Sequence, residues 1–312
     1  MLTRRHIRVK VMQSLYAYSQ SENDNLKAEE KFLLKSMDEM YDLYLIMLDL
    51  FVEIKDYAEN YMEKSQQKHL PSVEDVDPNR KFVDNELISQ IGKNRSLDLA
   101  LETRKLNNWK NDDEYVEILW SEIKKSELYE NYMATRTSSF KEDKEFVIAI
   151  FREIIAPNEK LYDYLEDKKI TWIDDLPLVN TAIVKMLQKS SAGKEQALTQ
   201  LFKSSDDKEY AVELFRKTLL NDESLANEMV GKTPNWDKER IADLDTILIK
   251  MAICEFLKFP SIPVKVTINE YLEIAKEYST PKSSIFINGI LDKLSKEYRE
   301  NGKLNKIGRG LM

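Results

Sequence analysis

Residues 26–65 contain neither glycine nor proline. Nothing in those forty residues breaks a helix. Leu33, Met37, Met40, Tyr44, Met47, Phe51, Ile54, Ala58 and Tyr61 follow one another at alternating steps of four and three. That is a heptad-like seam sustained for about four heptads. A second stripe, Leu34, Tyr41, Leu45, Leu48 and Val52, asks for cover on another side. A long helix that is apolar on two sides belongs in the core of a bundle rather than in an isolated two-stranded coiled coil. The same poverty in breakers runs through the chain, with seven glycines and eight prolines among 312 residues. Long helices follow, and a strand-and-turn architecture does not.

Taken in order, the remaining spacings predict further helices. Residues 3–20 form the first, with Thr3 as its N-cap and Ile7, Val11, Leu15 and Tyr18 as its core stripe. Residues 66–80, with Pro71, Pro78 and several acids, read as a loop. Helices are predicted over 82–106, 112–133, 140–155 and 159–166, the last two separated at Pro157. Another covers 171–193 and stops at Gly193. One or two helices fill 207–229, and a long one spans 236–259 with Ile247, Met251, Cys254 and Leu257 facing inward. Residues 263–294 read as two helices broken at Ser279-Thr280-Pro281, with Ser283 or Ser284 capping the second. Gly289 sits mid-helix, where glycine costs about 1 kcal/mol against alanine and permits close approach of another backbone. After residue 300 the basic, glycine-bearing tail is expected to be disordered.

Several chemistries are excluded or unsupported. The single cysteine, Cys254, rules out an internal disulfide and lies in an apolar run, as a buried small hydrophobe would. With only His6 and His69 beside it, no zinc constellation is available. Ala226–Thr233 matches a loose phosphate-loop pattern, but its first glycine is alanine and the residues before it are helical. A helix stop at Gly231 and a new start at Thr233-Pro234 account for it. Carboxylates are spread over every helix, so no acid pair stands out as a catalytic dyad. No catalytic residue, metal site or cofactor is predicted. The most apolar run, residues 43–48, is too short to span a bilayer, and the basic N-terminus lacks the apolar core of a secretory leader. The expected location is the cytoplasm, with no membrane partner.

Net charge is −8, which taken alone disfavours nucleic acid. Its distribution reverses that reading. Residues 1–21 hold Arg4, Arg5, Arg8 and Lys10 with no acid, and residues 258–312 also sum to +4. The 236 residues between them carry −16, of which 22–135 supply −11. Two basic ends on an acidic body predict a local anion-binding surface. Arginines in the first turns oppose the helix dipole, a local penalty that contact with phosphate would repay.

The run V-K-V-T-I-N-E-Y-L-E-I-A-K from Val264, followed by S-S-I-F-I-N-G-I-L-D-K from Ser283, resembles the C-terminal signature of the NusB family of bacterial transcription antitermination factors. Pro263, Lys265, Asn269, Glu270, Lys276, Phe286, Asn288, Gly289, Asp292 and Lys293 fall in order at the family's spacing. D-T-I-L-I-K-M-A-I-C-E-F resembles the family helix before that signature. Q-S-L-Y, at Gln13 to Tyr16, resembles the end of its arginine-rich first helix. The resemblance covers about a third of the chain.

It implies an all-α, NusB-like helical bundle enlarged by inserted helices. Residues 1–21 and 136–312 would form the RNA-binding core, with a helical insertion at about 171–235, and 22–135 would be an acidic insertion. The implied role is to bind the single-stranded boxA element of ribosomal RNA transcripts with ribosomal protein NusE, in the RNA polymerase antitermination complex. Arg4, Arg5, Arg8, Lys265, Lys276 and Lys282 would meet phosphates. Tyr16 or Phe286 would stack bases, and Gln13, Ser284 or Asn288 would read them. Phe286 reads as core before stacking platform, and Asn269, Glu270 and Asn288 serve equally as ties between helices. One departure stands at Lys282-Ser283-Ser284-Ile285, where the family often has acid-Ser-His-Lys: a lysine is gained at 282 and another is missing at Ile285. Two alternatives stay open. One is a non-catalytic protein-binding scaffold. The other is an RNA-recognition module of the ribosomal RNA methyltransferase type without its catalytic domain.

Overall fold

The computed structural model describes residues 1–21, 25–67, 72, 76–232 and 242–311, and no strand occurs among them. The helices are α1 (Arg4–Gln20), α2 (Leu26–Gln66), α3 (Glu86–Gly92), α4 (Arg95–Arg104), α5 (Asn108–Asn111), α6 (Asp113–Lys124) and α7 (Glu127–Met133). They continue with α8 (Phe140–Ile150), α9 (Glu159–Lys168), α10 (Thr171–Lys189), α11 (Ser205–Leu220) and α12 (Asp222–Met229). The last three are α13 (Asp243–Lys258), α14 (Val264–Tyr278) and α15 (Ser283–Glu300). The all-α expectation holds, and α2 runs the full length its sequence predicts.

Packing divides the chain into two units, Asp38–Leu201 with Met1, and Leu2–Met37 with Phe202–Met312. The charge-based division groups residues differently over 22–37 and 136–201. In the first unit Phe82 meets Trp120, Tyr129 and Phe146, and Phe51 meets Phe151. The indole N–H of Trp109 donates to Ile46 O at 2.7 Å. That of Trp172 donates to Glu39 O at 2.8 Å. The stretches read as single helices over 82–106 and 112–133 are broken by local caps: Asn85, Asn94 and Ser126 each accept from a backbone N–H of the next helix. A π-helical turn at Phe151–Ile155 extends α8 and buries Phe151 and Ile155, leaving Ile154 half-buried. Helix α10 ends at Lys189 rather than at Gly193, which lies beyond in a turn with positive φ.

The second unit is organised on α13. Leu248, Ile249, Met251, Ala252, Ile253 and Cys254 are fully buried, and α1, α11, α12, α14 and α15 all pack against this helix. Cys254 is core, and burial pushes its thiol up to about 11, so it is an inert hydrophobe. The predicted extension of this helix back to 236 falls on residues outside those described, as do Thr233, Pro234, His69 and Pro71. Asp245 ties the start of α13 to the α14–α15 turn, accepting from Ser279 Oγ at 2.6 Å and Ser283 Oγ at 2.7 Å. Ser283 is therefore not the cap of α15; its hydroxyl is committed to Asp245, and Lys282 occupies the cap position without a side-chain bond.

The tail is folded, contrary to the expectation of disorder. Lys306 Nζ donates to the carbonyls of Glu255 (3.0 Å) and Phe259 (2.9 Å), placing a cation at the negative C-terminal end of α13. Ile307 N donates to Pro260 O at 3.1 Å. A short 3-10 turn, Gly308–Leu311, closes the chain.

Candidate nucleic-acid interface

Thr3 caps α1 in a reciprocal arrangement: its hydroxyl accepts from His6 N, and the His6 ring accepts from Thr3 N. This fixes the first turn, from which Arg4 and Arg5 project. They line a groove with His6 and Arg8, the 261–263 loop, Val266 and Glu270 of α14, Asp206 of α11, and Arg309 of the tail. The two basic ends of the chain thus meet in one depression of the second unit.

The three arginines differ sharply. Arg8 is 2% exposed and grips the fully buried Glu255 with two bonds, Nε–Oε1 2.7 Å and Nη2–Oε2 3.0 Å. The hydroxyls of Tyr210, Tyr271 and Thr267 also donate to that carboxylate, at 2.5, 3.0 and 2.8 Å. Burial alone would raise the Glu255 pKa, yet the Arg8 charge and these donors hold it below the usual carboxylate value. This is a satisfied internal network. The expected contact of Arg8 with phosphate is corrected accordingly: its charge is neutralised and it presents almost no surface. Arg5 is bidentate to Glu270, at 3.0 and 2.8 Å, and stays 40% exposed. Arg4 bonds Asp207 at 2.6 Å, lies over the Tyr210 ring, and is also open to solvent.

The other sequence-predicted residues separate by burial. Lys265 is exposed in the first turn of α14. Lys276, Lys282 and Asn288 are exposed and Ser284 half-buried around the α14–α15 turn. Eleven residues of helix, about 16 Å, separate Lys265 from Lys276. Lys276 pairs with Glu273 at 2.6 Å. Phe286 is 7% exposed and is core, so the stacking role is corrected in favour of packing. Tyr16 is 42% exposed near the far end of α1, with Gln13 half-buried one turn before it. Asn269 and Asn288 are on the solvent side, so neither is a buried tie; Glu270 is a half-buried tie between α14 and α1, through Arg5. Gly289 is exposed, and among the described residues a Cβ there would meet nothing within 4 Å, so no described helix approaches it.

Sequence reasoning missed Glu255, Asp207 and Arg309. Glu255 carried a readable signal, a lone acid in the run M-A-I-C-E-F, where a buried charge demands a cation. Asp207 and Arg309 carried none, because their roles depend on how α11 and the tail return to α1.

These features define an all-helical protein with an arginine-lined groove built over a buried arginine–glutamate pair. Among the described residues no helix is long and apolar enough to cross a membrane. The NusB family model matches residues 178–296. The transcription antitermination protein NusB of Salinibacter ruber is 41% identical over 131 residues, covering 40% of this chain and 81% of that protein. Its namesake in Geotalea daltonii is 34% identical over 114 residues, 36% of this chain and 77% of that protein. That of Chloroherpeton thalassium is 40% identical over 105 residues, 34% of this chain and 50% of that protein. The chain belongs to the NusB family.

Proposed function

We propose that this protein is a non-catalytic transcription antitermination factor that binds single-stranded boxA-type RNA together with ribosomal protein NusE, within the RNA polymerase antitermination complex in the cytoplasm. The observation that carries the reading is the shared groove: Arg4 and Arg5 from the start of the chain, and Arg309 from its end, line one depression beside α14. Lys265 adds an exposed charge in the first turn of that helix. Phosphates along an extended strand would meet these cations, and Lys276 and Lys282 at the far end of α14 would take later phosphates. Exposed Tyr16 offers a stacking face, while Gln13, Ser284 and Asn288 offer hydrogen bonds to base edges.

Fluorescence anisotropy with a labelled boxA-type oligonucleotide and a scrambled one tests this, each with and without NusE. The selective RNA binds more tightly, NusE tightens it further, and log K falls linearly with log salt. Removing Arg4 and Arg5 together by alanine weakens binding and flattens the salt slope by about 0.7 for each lost phosphate contact. Equal affinity for both RNAs, or a slope that the double variant leaves unchanged, refutes the proposal.

A further inference from the structure

The groove already contains an anion. Glu270 presents both carboxylate oxygens to Arg5, Oε1 to Nη2 at 2.8 Å and Oε2 to Nε at 3.0 Å. This two-point geometry is the one a phosphate adopts on a guanidinium. Arg8 bonds Glu255 through Nε and Nη2 and leaves only a longer ion pair, Nη1 to Glu270 Oε2 at 3.7 Å, so the two hydrogen bonds that hold Glu270 come from Arg5. The pair is not sealed in the core: the side chains of Arg5 and Glu270 are 40% and 21% exposed, and both line the groove. Among the described residues Arg309 and Lys265 form no ion pair, so part of the local positive charge is uncommitted.

We propose that Glu270 holds the place of an RNA phosphate on Arg5 and is displaced when RNA enters, which makes it an internal competitor that sets affinity. The inference rests on the RNA-binding reading above. An RNA that makes only electrostatic contact must break the Arg5–Glu270 pair without compensation elsewhere. An RNA whose bases are also recognised has contacts that offset the exchange. The exchange lowers both affinities by one factor, so at a given RNA concentration the weakly bound strands lose their occupancy first while the ratio of affinities is unchanged.

The test compares Glu270→Gln with Glu277→Gln, an equal charge change on the same face of α14 that breaks no bond to Arg5. Binding of boxA-type and scrambled single-stranded RNA is measured by anisotropy on the full chain, with thermal melts to show that each variant is folded. Glu270→Gln binds both RNAs about two- to fivefold more tightly than Glu277→Gln does at low salt, in line with the strength of a part-exposed ion pair. The gain is the same factor for both RNAs, and it disappears in the Arg5→Ala background. If wild type binds RNA but Glu270→Gln gains no more than Glu277→Gln, or loses affinity, Glu270 is a brace for Arg5 and the competitor role is overturned while the function stands. If no form binds RNA, both fall. Binding by Glu270→Gln alone upholds the competitor role.

Discussion

Replacing Arg8 by methionine tests whether this arginine serves the core or the surface. The substitution keeps a long apolar stem but leaves the Glu255 carboxylate without a counter-charge at a site with no exposure. Three hydroxyl donors remain, from Tyr210, Tyr271 and Thr267, against the two charge-assisted bonds that are lost. Breaking a buried pair by removing one partner costs about 3–5 kcal/mol, a large share of a typical domain stability of roughly 5–15 kcal/mol. The paired variant Arg8→Met with Glu255→Gln removes both charges. The glutamine oxygen still accepts from the two tyrosines, and its amide can donate to Thr267 Oγ1, so the double variant costs about 1–2 kcal/mol. It is therefore more stable than Arg8→Met alone. Amide hydrogen exchange along α13 reads this locally, and urea unfolding followed by circular dichroism reads it globally. The pH dependence has a definite sign. Glu255 is held below its unfolded value of about 4.5, so its contribution is present above pH 4.5 and fades as pH falls through the lower folded value. A loss under 1 kcal/mol in Arg8→Met, or a double variant no better than the single, refutes the bracing role. Unchanged stability with weakened RNA binding would return Arg8 to the phosphate contacts.

Asp49 of α2 is pushed up to about 7, by burial first and then by Glu53, so the folded state at pH 8 carries a penalty with a ceiling of about 4 kcal/mol. The penalty is full above pH 7 and relieved as pH falls toward 4; Asp49→Asn therefore raises the melting temperature at pH 8 and has little effect at pH 4.5. Gly310→Ala drives a Cβ into the Pro260 carbonyl oxygen, so the tail must shift from its seat; limited proteolysis then cuts within 301–311 faster than in wild type. Gly289→Ala adds a methyl in open space on α15 and stabilises the helix by about 0.5–1 kcal/mol in thermal melts. If a partner or RNA backbone docks at that glycine, the same variant loses affinity while gaining stability.

The helical class and the length of α2 were legible because they rest on local facts: breakers are absent and the apolar period is sustained. Helix ends were less legible, since Asn85, Asn94 and Ser126 cap within stretches whose periodicity continues across them. The site divides along the same line. Arg4, Arg5 and Arg8 were visible as one cluster of charge, but charge per residue says nothing of which guanidinium turns inward. Helix α1 is surrounded from Ile7 to Met12, so Arg8 is drawn into the core while Arg4 and Arg5, one turn earlier, reach the groove. Glu255 was the available clue, because an acid amid Met251 to Phe256 must find a cation, and α1 crosses α13 where it can supply one. Phe286 was legible as core from its helical spacing with Ile287, Ile290 and Leu294, even beside exposed Ile285 and Asn288, and only its stacking role falls away. The tail was illegible because a lysine that caps a helix and a lysine in solvent are the same letter. Lys306 becomes a cap because residues 303–311 return to Pro260, where Ile307 N bonds the Pro260 carbonyl, and the same return delivers Arg309 to the groove. Stability of the tail and supply of charge to the candidate interface are therefore one property, and loss of the Lys306 bonds should weaken both together.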